Sequence, residues 1–130
     1  MHIYIVNDKS FGTLIPLVQL IDRIGLKDVA SWRLRDITLY GRGCPFGMNF
    51  NEFEAATRAT LNGFEVSDQD FRTFLMLDFQ IIDGEVDAWS GTEPAKCILR
   101  IDCEDATQWE IATDSLELIS KLENAGFQRE

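Results

Sequence analysis

The chain has a single histidine, His2. That excludes a zinc centre with two histidine ligands and leaves Cys–His or Ser–His–Asp chemistry no other imidazole to use. His2 opens a β-rich segment, where a structural position is expected. Cysteine is also sparse. Cys44, Cys97 and Cys103 are odd in number and form no CxxC pair, which predicts free buried thiols in a reducing compartment. A Cys97–Cys103 bridge stays open only if the two side chains converge. No apolar run nears the roughly 20 residues that span a bilayer. The start, MHIYIVNDKS, lacks both the basic and the long apolar region of a signal peptide, so a cytoplasmic protein is expected. Repeats, low-complexity stretches and linkers are missing too, and 130 residues fit one domain.

What is present is acid, unevenly spread. The net charge is −10. Residues 1–63 hold seven Lys/Arg and six Asp/Glu, whereas residues 64–130 hold five and sixteen. A field of that sign repels nucleic acid and anionic membrane and speeds encounter with basic partners. Solubility alone is the plainer reading of the same numbers.

The pattern along the chain predicts an α+β domain over residues 1–130. HIYIV (2–6) reads as a strand. Leu14, Leu17, Val18 and Ile21 recur at helical spacing and Leu20 and Ile24 widen the stripe, with Ser10 or Thr13 as cap, Pro16 in the first turn and Gly25 as stop. SWRLRDITLYG is a strand if a bulge near Asp36 reconciles Trp32 and Leu34 with Ile37 and Leu39; a short helix competes. GRGCPFG is a loop. Asn49 or Asn51 caps a helix ended by Asn62-Gly63. Ser67 and Asp70 open another, with Phe71, Phe74 and Leu75 on its apolar face, joined by Phe79 or Met76.

Asp83-Gly84 is either a hairpin turn or an early point in a strand. Beyond it Val86 and Ala88 face inward and Glu85, Asp87 and Trp89 outward. After a turn at Gly91–Pro94, KCILRIDC places Cys97, Leu99, Ile101 and Cys103 inward and Lys96, Ile98, Arg100 and Asp102 outward. A turn at Glu104–Thr107 leads to WEIAT, with Trp109 and Ile111 inward and Glu110 outward. Asp114 with Glu117 caps a last helix, whose buried stripe is Leu118, Ile119, Leu122 and Ala125 before Gly126. The expected architecture is an antiparallel sheet, with a C-terminal three-stranded meander, packed against several helices in a layered sandwich.

Three sites can be weighed on this frame. GRGCPFG lacks the Lys-Ser/Thr of a P-loop and the spacing of a dinucleotide fold, so only Cys44 beside Arg42 offers a nucleophile, with no base in view. The acids at 83, 85, 87, 102, 104 and 105 could serve a divalent metal or a phosphate substrate. Same-face carboxylates on one strand lie about 6.6 Å apart, however, which suits a field better than a cage. The third is a binding surface: Glu85, Asp87, Asp102, Glu104, Asp105 and Glu110 for electrostatic contact, and Trp89 as its aromatic anchor.

WRLR with the Gly-rich turn, the S-x-x-D helix leading into QIIDGEVDAW, and WEIATD before an amphipathic helix together resemble small bacterial immunity proteins of polymorphic-toxin and contact-dependent inhibition systems. The resemblance spans most of residues 32–127. It implies a small acidic cytoplasmic protein that binds one cognate toxin domain, with no catalytic residue and no cofactor. The expectation is therefore a non-enzymatic inhibitor of a basic protein, such as a toxin nuclease. A carboxylate-based metal or phosphate enzyme is the alternative, and a housekeeping or oligomeric domain a further one.

Overall fold

A computed structural model describes residues 1–91 and 94–130. Nine strands and four helices follow in chain order among these residues. They are β1 (His2–Val6), β2 (Lys9–Ser10), β3 (Thr13–Leu14), α1 (Leu17–Ile24), β4 (Val29–Gly41), α2 (Phe50–Arg58), β5 (Phe64–Ser67), α3 (Asp68–Leu75), β6 (Phe79–Ser90), β7 (Cys97–Glu104), β8 (Gln108–Thr113), α4 (Leu116–Asn124) and β9 (Gln128–Arg129). Seven strands make one antiparallel sheet in the order β5-β4-β6-β7-β8-β1-β9, and β2-β3 is a separate hairpin. The expected meander, β6-β7-β8, is the middle of this sheet.

The four helices share one buried cluster with the inward side chains of the strands, among them Tyr4, Trp32, Leu34, Val86, Leu99, Ile101 and Ile111. Trp32 stacks on Phe71 with centroids 4.1 Å apart, and its indole N–H donates to Asp68 at 2.8 Å. That pair fixes α3 to β4. Phe46, Phe53, Phe64, Phe74 and Phe79 extend the aromatic packing around α2 and α3. On the other half of the sheet the Lys121 ammonium of α4 donates to the Gly25 carbonyl that ends α1. The Arg23 guanidinium lies 4.4 Å from the Phe127 ring centre.

β4 is one strand with the bulge expected near Asp36, whose φ is +51°. Its register against β6 shifts between Arg35 and Thr38. Asp83-Gly84 is not a hairpin turn but lies inside β6. Gly84 has φ +137°, and a Cβ there would fall 2.5 Å from Ile37 Cδ1. Only glycine lets β4 and β6 close at this bulge. Past β5, the edge of β4 is sealed by α2: Ile37 N–H donates to Thr57 Oγ1 at 3.1 Å and Leu39 N–H to Glu54 at 2.8 Å.

Several local expectations need correction. Ser10 and Thr13 do not cap α1; they frame the β2-β3 hairpin, which also takes Leu14 out of the helix and into β3, while Pro16 sits at the N-cap without a side-chain bond. Asn49 caps α2 in a full capping box with Glu52, and the helix stops at Arg58, before Asn62-Gly63. Met76 is exposed and Phe79 belongs to β6. Ser115, not Asp114, caps α4 by accepting from Leu118 N–H. Ala125 is exposed, and Phe127 takes its place in the core. In β7 a register shift between Ala88 and Trp89 pairs Trp89 with Cys97. Cys97 thus leaves the inner face and Ile98 packs against the core, the reverse of simple alternation. All three cysteines are free, but only Cys103 is buried. Of the Gly91–Pro94 turn, Thr92 and Glu93 lie outside the described residues.

Candidate functional site

Opposite the helices, the sheet presents its second face. Strand register arranges that face in two charged rows. In the first, Glu65 on β5 opposes Arg33 on β4, then Asp87 on β6, Arg100 on β7, Ala112 on β8 and Ile3 on β1. Charges alternate along it. In the second, Arg35 on β4 opposes Glu85 on β6, then Asp102 on β7, Glu110 on β8 and Ile5 on β1. Here three carboxylates stand directly opposite one another with one arginine at the end. Like charges in that relation repel.

The two rows have different electrostatic states. Asp87 is only 3% exposed, and Arg35 pairs with it at 3.1 Å as well as with Glu85. Burial pushes the Asp87 carboxyl above its ordinary value, opposed by Arg35, Arg100 and Arg33. Trp89 is half-buried, with the Arg33 guanidinium 3.7 Å from its ring centre. Its indole N–H, Asp87 Oδ1 and Arg35 Nε are buried without a hydrogen-bond partner. The chain's own arginines thus cover Glu85, Asp87 and Trp89.

Asp102 is different. Burial raises its pKa first, and the negative charges of Glu110, Glu104 and Asp83 raise it further. Asp102, Glu104, Asp105 and Glu110 form no ion pair among the described residues. Glu104 and Asp105 lie at the β7-β8 turn, where Asp105 N–H donates to Asp83 at 2.8 Å. Asp36, Asp83, Glu85, Asp102 and Glu104 line a hollow of about 350 Å³ with Arg35 at its side.

Of the seven residues singled out in the sequence, all lie on this face or at its turn, but they divide. Glu85, Asp87 and Trp89 are engaged from within, whereas Asp102, Glu104, Asp105 and Glu110 carry no ion pair among the described residues. The sequence missed the part played by Arg33 and Arg35, because their meeting with β6 depends on pairing across some fifty residues. WRLR, with arginines two apart on one strand face, was the available signal. No three His, Cys, Asp or Glu side chains among the described residues converge as a metal site would require. Cys44 is exposed on the loop before Pro45–Gly47. No described helix is long and apolar enough to cross a membrane. No protein-family model, curated protein or solved structure matches this chain.

Proposed function

We propose that this chain is a non-catalytic cytoplasmic inhibitor that binds a basic protein through the open face of its sheet. The observation that carries the reading is the directly opposed Asp102–Glu110 pair, with Glu104 beside it and no ion pair on any of the three among the described residues. Directly opposed carboxylates are unfavourable in the free protein, and a cationic side chain laid across them turns repulsion into attraction. Asp102 and Glu110 form the centre of the contact, with Glu104 and Asp105 at its rim. Ile3, Ile5 and Ala112, continuing the two rows on β1 and β8, supply apolar surface beside the charge. Asp87 and Glu85 hold Arg35 in place and act from beneath, and Trp89 anchors Arg33 rather than the partner.

The resemblance to immunity proteins makes the partner a cognate toxin domain, and a nuclease has the basic groove this face suits. The test is whether a toxin-domain gene lies directly upstream of this chain's gene, its absence counting against the reading, followed by titration of the chain with that domain at low and at moderate salt. Binding should weaken by about tenfold or more as the surface charges are screened. Asp102→Asn combined with Glu110→Gln should weaken it similarly while leaving the fold intact. Salt-independent binding, or full affinity in the double variant, would remove this reading.

A further inference from the structure

The two-residue loop that joins β2 to β3 is Phe11-Gly12. Both residues have positive φ, +53° and +83°, as a hairpin turn of this length requires. Asn-Gly and Asp-Gly suit such a turn, because a short polar side chain tolerates the left-handed region where a bulky one is uncommon. Here the residue is phenylalanine, and its side chain is fully exposed. Neither turn chemistry nor core packing explains an aromatic ring at this tip.

The base of the hairpin is braced. Leu14 and Ile15 are buried. Ile15 N–H donates to the Asp8 carbonyl at 3.0 Å, and the buried Trp109 indole N–H donates to the Ile15 carbonyl at 2.8 Å. Asp8 also pairs with Arg23 of α1 at 3.2 Å. The Thr13 hydroxyl donates to the Ser10 carbonyl at 3.0 Å and closes the hairpin on itself. A ring on so fixed a mount loses little freedom when a partner covers it.

The hairpin is tied to the acidic turn as well. The Lys9 ammonium donates to the Thr107 carbonyl at 3.5 Å. Thr107 in turn donates its N–H and its hydroxyl to the Glu104 carbonyl, at 3.1 and 2.8 Å. Phe11 follows Lys9 by two residues, about 7 Å of extended chain, so the tip stands near the turn that carries Glu104 and Asp105. Neither acid has an ion pair among the described residues. An exposed aromatic ring and unpaired carboxylates thus share one end of the sheet, whereas Trp89 is covered by Arg33. Aromatic side chains seated in pockets carry much of the affinity of protein interfaces. A cation beside the ring is attracted by its face as well as by the acids.

On the inhibitor reading of the acidic face, on which this rests, we infer that Phe11 is the apolar anchor of the same interface. Its ring enters an apolar pocket of the basic partner, and lysine or arginine side chains at the pocket rim meet Glu104 and Asp105. The partner is then a basic protein with an apolar pocket beside its cationic groove, not a surface of charge alone.

The decisive variant is Phe11→Asn, which places at the tip a residue the turn accepts. Tm of the free chain should hold or rise. Binding to the toxin domain encoded directly upstream should weaken about tenfold or more. That loss should persist at moderate salt, because an apolar contact is not screened. A fall in Tm would show that the ring serves the fold, and overturns the inference. Full affinity in Phe11→Asn, beside weakened binding in the combined Asp102→Asn and Glu110→Gln variant, overturns it too and leaves the acidic interface standing. No complex at all removes both.

Discussion

At the scale of single residues, Asp102 and Cys103 are neighbours with opposite surroundings. Asp102 stands on the open face, and both burial and acidic neighbours lift its carboxyl above the ordinary 3.8. The folded protein then holds a proton that the unfolded chain has released. Stability from this group is present in acid and is lost as pH rises from about 4 through the folded-state value. Asp102→Asn should raise Tm at pH 7, by roughly 0.5 kcal/mol of relieved cross-strand repulsion. The gain should shrink as pH falls and the wild-type carboxyl, its pKa raised by burial and by acidic neighbours, takes up its proton. An unchanged or lower Tm at neutral pH would mean that the row is not repulsive. Cys103 faces the core, where burial raises its thiol to about 11. Iodoacetamide at pH 8 should therefore label Cys44, which is exposed, and spare Cys103 until the chain unfolds. Peptide mass mapping with and without denaturant reads this out.

At the scale of elements, legibility in the sequence follows the range of the interactions. The core stripe of α1, the Gly25 stop and the β6-β7-β8 meander were legible because periodicity and turn chemistry are local. Bulges were legible only where sequence phase breaks on one strand. Ile37 and Leu39 could not share a face with Trp32 and Leu34 without one, so the Asp36 bulge announced itself. The shift between Ala88 and Trp89 left no such mark, since KCILRIDC alternates cleanly and the displacement exists only in the pairing. Cys97 and Ile98 consequently exchanged faces. The division of the candidate site was hidden for the same reason: nothing local to β6 shows that Arg33 and Arg35 will lie over it. The join between α2 and β4 is equally long-range. Thr57 Oγ1 accepts from Ile37 N–H and donates to the Glu54 carbonyl. Thr57→Val keeps the shape but orphans a buried N–H, and should cost about 1–3 kcal/mol in chemical denaturation. A loss below about 0.5 kcal/mol would show that the edge is not sealed there.

At the scale of the whole molecule, charge and fold are in tension. The net value of −10 falls mostly on residues after Gly63, and many of those acids share one end of a single sheet face. Net repulsion of this kind opposes compactness and is screened by salt. Raising NaCl from about 20 to 200 mM, which shortens the Debye length from roughly 20 to 7 Å, should raise Tm of the free chain while lowering its affinity for a basic partner. A Tm that falls with salt would instead mean that the Arg33, Arg35 and Arg100 pairs dominate. The free protein and the complex are thus expected to respond to salt in opposite directions.

The sheet ends in two very short strands, β5 with four residues and β9 with two. Lateral growth of a sheet needs a long, flat edge to copy. On one side α2 seals what β5 leaves open; on the other, β9 is all that lies beside Tyr4 and Ile5. Shortening the chain to end at Phe127 would leave β1 bare, with alternating Ile3, Tyr4, Ile5 and Val6 and no charge among them. Such a variant should keep its helices by circular dichroism yet scatter light and bind thioflavin T at concentrations where the full chain stays clear. Three residues at one margin would then separate a protein that stays in solution from one that grows into fibrils.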